Sequence, residues 1–257
     1  MMWRLACGVS REAVLSADAV LTVWRNAPRR SVKNRGVSLR IVPALLSLLL
    51  IHLVAGCAGV APLKPLAEGL KPAILADCRQ PFLSGKYRLV HSVSAELPGG
   101  GRTTALGVLV ADPRTRSFRS VLMTLEGMVL FDGETGAVPT VHRAVSPFDA
   151  PAFAGRMAED IGLAFFAPAG APVLWGEAEQ GFRGCRYGSP DGGFVDVLKD
   201  AAGRREIRRY GAGQELRKRV KISALERPGL AEELEIRGES GPSYGLHLRL
   251  IEAETVE

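Results

Sequence analysis

From Tyr87 onward the chain alternates. Tyr87, Leu89, His91, Val93 and Ala95 fall on one side, and Arg88, Ser92, Ser94 and Glu96 on the other, with Val90 the exception. A period of two predicts a half-buried strand. Pro98-Gly99-Gly100-Gly101 reads as a hairpin turn, and Thr104, Leu106, Val108 and Val110 mark a returning strand. Asp112-Pro113-Arg114 turns the chain again. Further strands are predicted over 118–125, 128–131 and 138–145, the first two separated by Glu126-Gly127.

The period then changes. Over 151–166, Phe153, Met157, Ile161 and Phe165 recur every fourth residue, and Ala154 and Ala158 widen that stripe. This predicts an amphipathic helix, with Asp149 as its cap, Pro151 near its first turn and Pro168 as its stop. Strands resume over 182–187, 194–199, 205–210, 216–225, 230–237 and 244–253, with turns at 189–193 and 201–203. Leu216, Val220 and Ile222 share a face, Arg217, Arg219 and Lys221 share the other, and Leu246, Leu248 and Leu250 form a further apolar row. The fold class is mainly β with a covering helix. About eleven strands joined by short turns make a curved antiparallel sheet, and its apolar side needs the helix as cover.

The N-terminal quarter has no such alternation. Lys33, Arg35 and Arg40 precede an apolar segment from Ile41 to Leu53, too short to span a bilayer. It ends at Leu53-Val54-Ala55-Gly56-Cys57, which resembles the lipobox of bacterial lipoprotein precursors. The resemblance implies cleavage between Gly56 and Cys57 and lipidation at Cys57. Membrane lipid is then the first partner, since two or three acyl chains anchor a domain durably. Residues 37–56 are read as the signal peptide. Residues 1–36, which include Asp18 and Pro28, are read as an upstream extension that precedes the true start, with Val32 or Val37 as initiators. The competing reading is a long basic n-region with Arg29-Arg30 as a twin-arginine signal. Residues 57–77 are expected to form the lipidated N-terminus and a semi-extended tether, broken by Pro62, Pro65 and Pro72, and residues 78–257 the β domain. Ala58 follows the anchor where an inner-membrane retention signal would place Asp, so the expected location is the outer membrane, facing the periplasm.

Charge then loses its first meaning. The chain carries a formal +6, which invites a nucleic-acid partner. Eight basic residues and two acidic ones lie before Cys57, out of 33 and 27, so the remainder carries equal numbers of each. No nucleic-acid partner is expected. Arg204, Arg205, Arg208, Arg209, Arg217, Lys218, Arg219 and Lys221 cluster on neighbouring strands, read as a solvated cationic face or, more sharply, as a patch for anionic head groups or an acidic partner. Glu159-Asp160 reads as a solvated pair. Cys78 and Cys185 remain as an even pair, either a disulfide or two buried thiols. His91, His142 and His247 stand alone, without metal-ligand spacing, and no nucleophile elbow or phosphate loop occurs. No metal, no cofactor and no enzymatic activity are expected; a hydrolase is the least favoured reading.

The lipobox, the strand–helix–strand order and the stretch Ser117-Phe118-Arg119-Ser120-Val121-Leu122-Met123-Thr124-Leu125-Glu126-Gly127-Met128-Val129-Leu130 together resemble the outer-membrane lipoprotein receptor LolB and its LolA/LolB-type relatives. The resemblance implies an incomplete β-barrel with helices across its mouth, an apolar cavity for acyl chains or lipoprotein cargo, and a periplasmic carrier as partner. It places Leu125 as a membrane-insertion tip, in a turn about one residue shorter than the family's and beside Glu126. The cavity would be lined by Phe118, Leu122, Leu130, Phe153, Met157, Ile161, Phe165 and Leu248. The alternative is that these residues pack into a solid core and the chain is a non-catalytic envelope interaction module.

Overall fold

The computed structural model describes residues 62–96, 100–135, 139–223, 225–240 and 243–256. Cys57 and the signal region lie outside the described residues. In chain order the elements are α1 (Lys71–Arg79), β1 (Tyr87–Glu96), β2 (Arg102–Asp112), β3 (Ser117–Met123), β4 (Val129–Thr135), β5 (Pro139–Ala144) and α2 (Phe153–Phe165). There follow β6 (Leu174–Glu177), β7 (Arg183–Gly188), β8 (Phe194–Lys199), β9 (Arg205–Tyr210), β10 (Leu216–Ile222), β11 (Leu225–Arg227), β12 (Leu230–Ala231), β13 (Glu233–Gly238) and β14 (Tyr244–Thr255).

Twelve strands form one antiparallel sheet, ordered β5-β4-β3-β2-β1-β14-β13-β10-β9-β8-β7-β6. The expected curved, unclosed, mainly β architecture is what the chain adopts. The path explains the order. Strands β1 to β5 step outward by hairpins to one free edge. The chain then crosses by way of α2 to the opposite edge at β6 and steps back until β14 pairs with β1. β11 and β12 form a separate two-stranded ribbon. The count differs from the sequence reading in three places. β6 at the edge has no counterpart in that reading, and the runs 216–225 and 230–237 each divide where the small ribbon branches off.

One face holds the core, although β8 is buried at four consecutive positions and β9 at three. Leu89, Ala111, Val195, Val197, Ile207, Val220, Ile222, Leu234 and Ile236 pack there with Ile74 of α1 and Leu163, Ala164 and Phe165 of α2. Two expectations are corrected. The segment read as a tether through residue 77 contains α1, because Pro72 lies in the helix's first turn, where a missing N–H costs nothing. Upstream of it, Leu63 is already buried and Lys64 bridges Glu177 of β6. Nor does Asp149 cap α2. The cap position is Ala152, without a side-chain bond, because residues 147–152 form turns before the helix starts.

Cys78 of α1 and Cys185 of β7 are joined in a disulfide across 107 residues. It ties α1 to the far half of the sheet.

The cationic cluster is also corrected. Arg208 and Arg219 share Glu206, Lys221 and Arg237 share Glu235, Arg204 meets Asp200, Arg209 meets Asp191 and Arg217 meets Glu215. Neighbours of opposite charge, mostly two residues away on the same side of the strand and in part across the ladder, compensate this face.

Candidate functional site

Between α2 and the β1–β3 part of the concave face the core is not filled. A cavity of about 270 Å³ lies there, well above the roughly 150 Å³ of an apolar void that takes up benzene. The cause is in the inward positions. β1 presents His91, Val93 and Ala95; β2 presents Ala105, Gly107 and Leu109; β3 presents Ser120 and Leu122. Small residues at 95, 105, 107 and 120 leave a hollow floor. A Cβ at position 107 would sit 3.1 Å from Val93 and 3.5 Å from Leu122, so glycine there lets those two side chains lie close over the strand. The roof is Phe153, Met157, Ile161 and Phe165 of α2, and the wall toward β14 is Leu246 and Leu248.

Of the eight residues expected to line a cavity, Leu122, Phe153, Met157, Ile161, Phe165 and Leu248 do so. Phe118 and Leu130 do not, which corrects the expectation. Phe118 shares a face with Ser120 and Leu122 but lies beyond the closed end, packed 6.4 Å from the Phe166 ring. Leu130 is displaced by a bulge. Leu122 pairs with Phe131 and Met123 with Val129, so Leu130 is the extra residue and the faces exchange. Phe131 takes the inward place, fully buried, with its ring edge-on to Phe153 at 5.3 Å.

The cavity has two unlike ends. His91, Leu109, Ser120 and Phe165 close one end and are all buried. Glu96, Thr103 and Arg156 stand at the other and are exposed. The β3–β4 turn lies at this open end, because Met123 pairs with Leu106 while the β1–β2 hairpin extends further the same way. In that turn the Thr124 carbonyl accepts from the Gly127 N–H, and Gly127 adopts φ +89°, a conformation that favours glycine. Leu125 projects from it, 63% exposed, with Met128 exposed nearby.

One wall is polar, a feature absent from the sequence reading. Asp160, read as a solvated residue, is buried. It accepts a 2.6 Å hydrogen bond from Lys218 Nζ, and the Tyr244 hydroxyl lies 2.8 Å from both of its carboxylate oxygens. Glu159 stands 3.0 Å from the same ammonium. Burial raises the Asp160 carboxyl above its ordinary range, against the pull of Lys218. The phenol of Tyr244 is raised by burial and by the Asp160 charge. The pair fixes α2 to β10 and β14 beside the cavity. The signal was present in Asp160 falling one step round the helix from Ile161 and in Lys218 sharing the inward parity of Val220. Among the described residues no group of three metal-binding side chains occurs.

No protein-family model matches this chain, and no curated protein matches it. Among solved structures it is similar to a LolA superfamily protein from Nitrosomonas europaea, at 6% identity and a TM-score of 0.48, over 72% of this chain and 93% of that one. It is also similar to a protein domain from Vibrio parahaemolyticus described as outer-membrane lipoprotein-sorting, at 10% identity and a TM-score of 0.36, over 71% and 91% of the two chains. A DUF1329 family protein from Desulfovibrio piger is similar at 11% identity and a TM-score of 0.33, over 74% and 94%. At these identities and scores the likenesses assign no function.

Proposed function

We propose that this chain is a lipid-anchored envelope protein that takes acyl chains, free or on a lipoprotein, into the cavity beneath α2 and releases them at the membrane. The observation that carries this reading is the cavity itself: an apolar hollow, closed at one end and open at the other, whose floor is cleared by small residues. A methylene chain needs no polar reader, and each methylene buried contributes about 0.8 kcal/mol. The open end and the exposed Leu125 share one end of the sheet, so a tip touching the bilayer would bring the mouth to it. The anchor at Cys57, the outer-membrane location, and cargo supplied by a periplasmic carrier belong to the same proposal, resting on the lipobox and the LolB resemblance.

Native mass spectrometry of the chain purified in mild detergent is the direct test. Non-covalent acyl lipid is expected on it, beyond any adduct at Cys57; a bare mass under gentle desolvation would sink the cavity reading. The transfer step is tested separately. Leu125→Glu places a charge where the tip meets hydrocarbon, at a cost of order a few kcal/mol that depends on depth. Transfer of bound lipid to liposomes is expected to fall severalfold with cargo binding retained. Unchanged transfer would limit the function to holding lipid.

A further inference from the structure

The closed end of the cavity holds one group that acyl binding alone does not account for. His91 is 4% exposed, and its ring lies tilted 5.8 Å from Phe165. Neither ring nitrogen has a hydrogen-bond partner among the described residues. Across the β1–β2 ladder stands Gly107, which has no side chain to meet the ring, and both residues line the cavity. The β1–β14 register also shifts between Val90 and His91. His91 is not among the described side-chain atoms that are fully buried without a partner, so its ring nitrogens open onto the cavity, where a polar group without a partner is costly unless a bound group or water meets it.

We infer that His91 is a ligand-binding residue, and that the ligand is a free fatty acid bound carboxyl-first, its acid group at the closed end and its chain running over Gly107 toward the mouth. This rests on the reading that the cavity takes acyl chains, and narrows it. A chain entering tail-first would set a methyl group against the imidazole and leave it unsatisfied. A carboxylic acid satisfies it. The acid O–H donates to the unprotonated ring nitrogen, or the ring N–H donates to the carbonyl oxygen. A fatty acid is a carboxylate in neutral water, so binding takes up one proton from solvent. Whether that proton rests on the acid or on the imidazole, the pair is neutral overall and no net charge is buried. Burial alone holds the free imidazole down to about 4, and no neighbouring charge contributes. The ionisable groups on the surrounding elements lie along the wall and mouth. They are Glu96 on β1, Arg156, Glu159 and Asp160 on α2, Lys218 on β10 and Tyr244 on β14, with Asp160 and Lys218 already paired.

Calorimetric titration of the full chain with dodecanoic acid and with its methyl ester, in two buffers of different ionisation enthalpy, tests this. Near pH 4.5, where the fatty acid is already about half protonated and taking up the proton costs little, the acid is expected to bind about tenfold more tightly than the ester, the effect of one buried hydrogen-bonding group left unpaired, and proton uptake is expected to rise toward one as the pH is raised. In His91→Phe the acid is expected to lose its advantage over the ester. Equal binding of acid and ester by the unaltered chain would overturn the role of His91 while leaving the cavity reading intact. A preference for the acid that survives in His91→Phe would place carboxyl recognition elsewhere and also overturn it. Binding of neither ligand would remove the cavity reading and this inference together. The unaltered chain decides the central point, so the test does not depend on the variant folding.

Discussion

Under α1 the concave face is filled, and under α2 it is partly empty, although one sheet and one pattern of antiparallel pairing run through both. Over β7 to β10 the inward positions include Cys185, Tyr187, Val195, Val197, Ile207, Val220 and Ile222, and α1 packs on the β7–β8 part of this row with Ile74 and the Cys78 disulfide. Over β1 to β3 the inward positions include Ala95, Ala105, Gly107 and Ser120, and α2 stands above them on Phe131 and the Asp160–Lys218 pair. Protein interiors close-pack wherever side-chain volume permits. The hollow therefore needs two things at once: a floor with too little side-chain volume, and a roof held by contacts at its ends so that it cannot settle.

The comparison can be broken at the disulfide first. Cys185→Ser opens a loop of 107 residues, and chain-entropy arguments give about 5 kcal/mol lost. Urea unfolding is expected to show that loss while acyl binding at the other half persists. If binding disappears with the bridge in a chain that still folds, the halves are not independent. Alkylation under denaturing, non-reducing conditions should label neither Cys78 nor Cys185 in the unaltered chain.

The roof is the next target. Asp160→Ala leaves the Lys218 ammonium buried without its main partner. Glu159 remains at 3.0 Å but is exposed, so about 3 kcal/mol is expected, the low end for a broken buried pair. A change under about 1 kcal/mol in the same unfolding measurement would mean that the aromatic contacts alone hold α2.

His91 gives a dependence on pH. Burial lowers its imidazole from 6.5 to about 4. Between those values the unfolded chain binds the extra proton, so the native state loses stability as pH falls through the window, by about 3 kcal/mol in total. Above pH 6.5 the contribution is fully present. His91→Phe should therefore gain about that much relative to the unaltered chain between pH 7 and pH 4. Parallel stability–pH curves for the two proteins would show that water reaches the ring.

The smallest expected change in stability comes from filling the hollow. Ala105→Phe puts a ring into space that the cavity already provides, so stability should shift by less than about 1.5 kcal/mol. Acyl binding is expected to fall by at least about tenfold in a dye-displacement assay. Undiminished binding would mean that lipid sits elsewhere on the protein.

Much of this architecture is legible in the sequence by itself. Alternation places β1 and β14 to within two residues, because half-buried strands impose a period of two on their own sequence, and the turns at 189–193 and 201–203 bound β8 and β9. The four-residue spacing of Phe153, Met157, Ile161 and Phe165 marks both α2 and the face it buries. The roof of the cavity is thus readable, since a helix writes its buried stripe into local order.

What the tertiary structure alone decides is what lies opposite that stripe. The floor is assembled from three successive strands whose small residues fall between 95 and 120, and their meeting depends on register. The β4 bulge shows how little is needed: one extra residue exchanges Leu130 for Phe131 on the inner face. Asp160 reads as solvated in the sequence because Lys218 and Tyr244 reach it only through the fold, across 58 and 84 residues. His91 reads like any strand histidine, and only the fold gives it apolar, open surroundings. Local physics fixes which residues turn inward; whether they meet a partner or an empty space is a property of the assembled sheet and its roof.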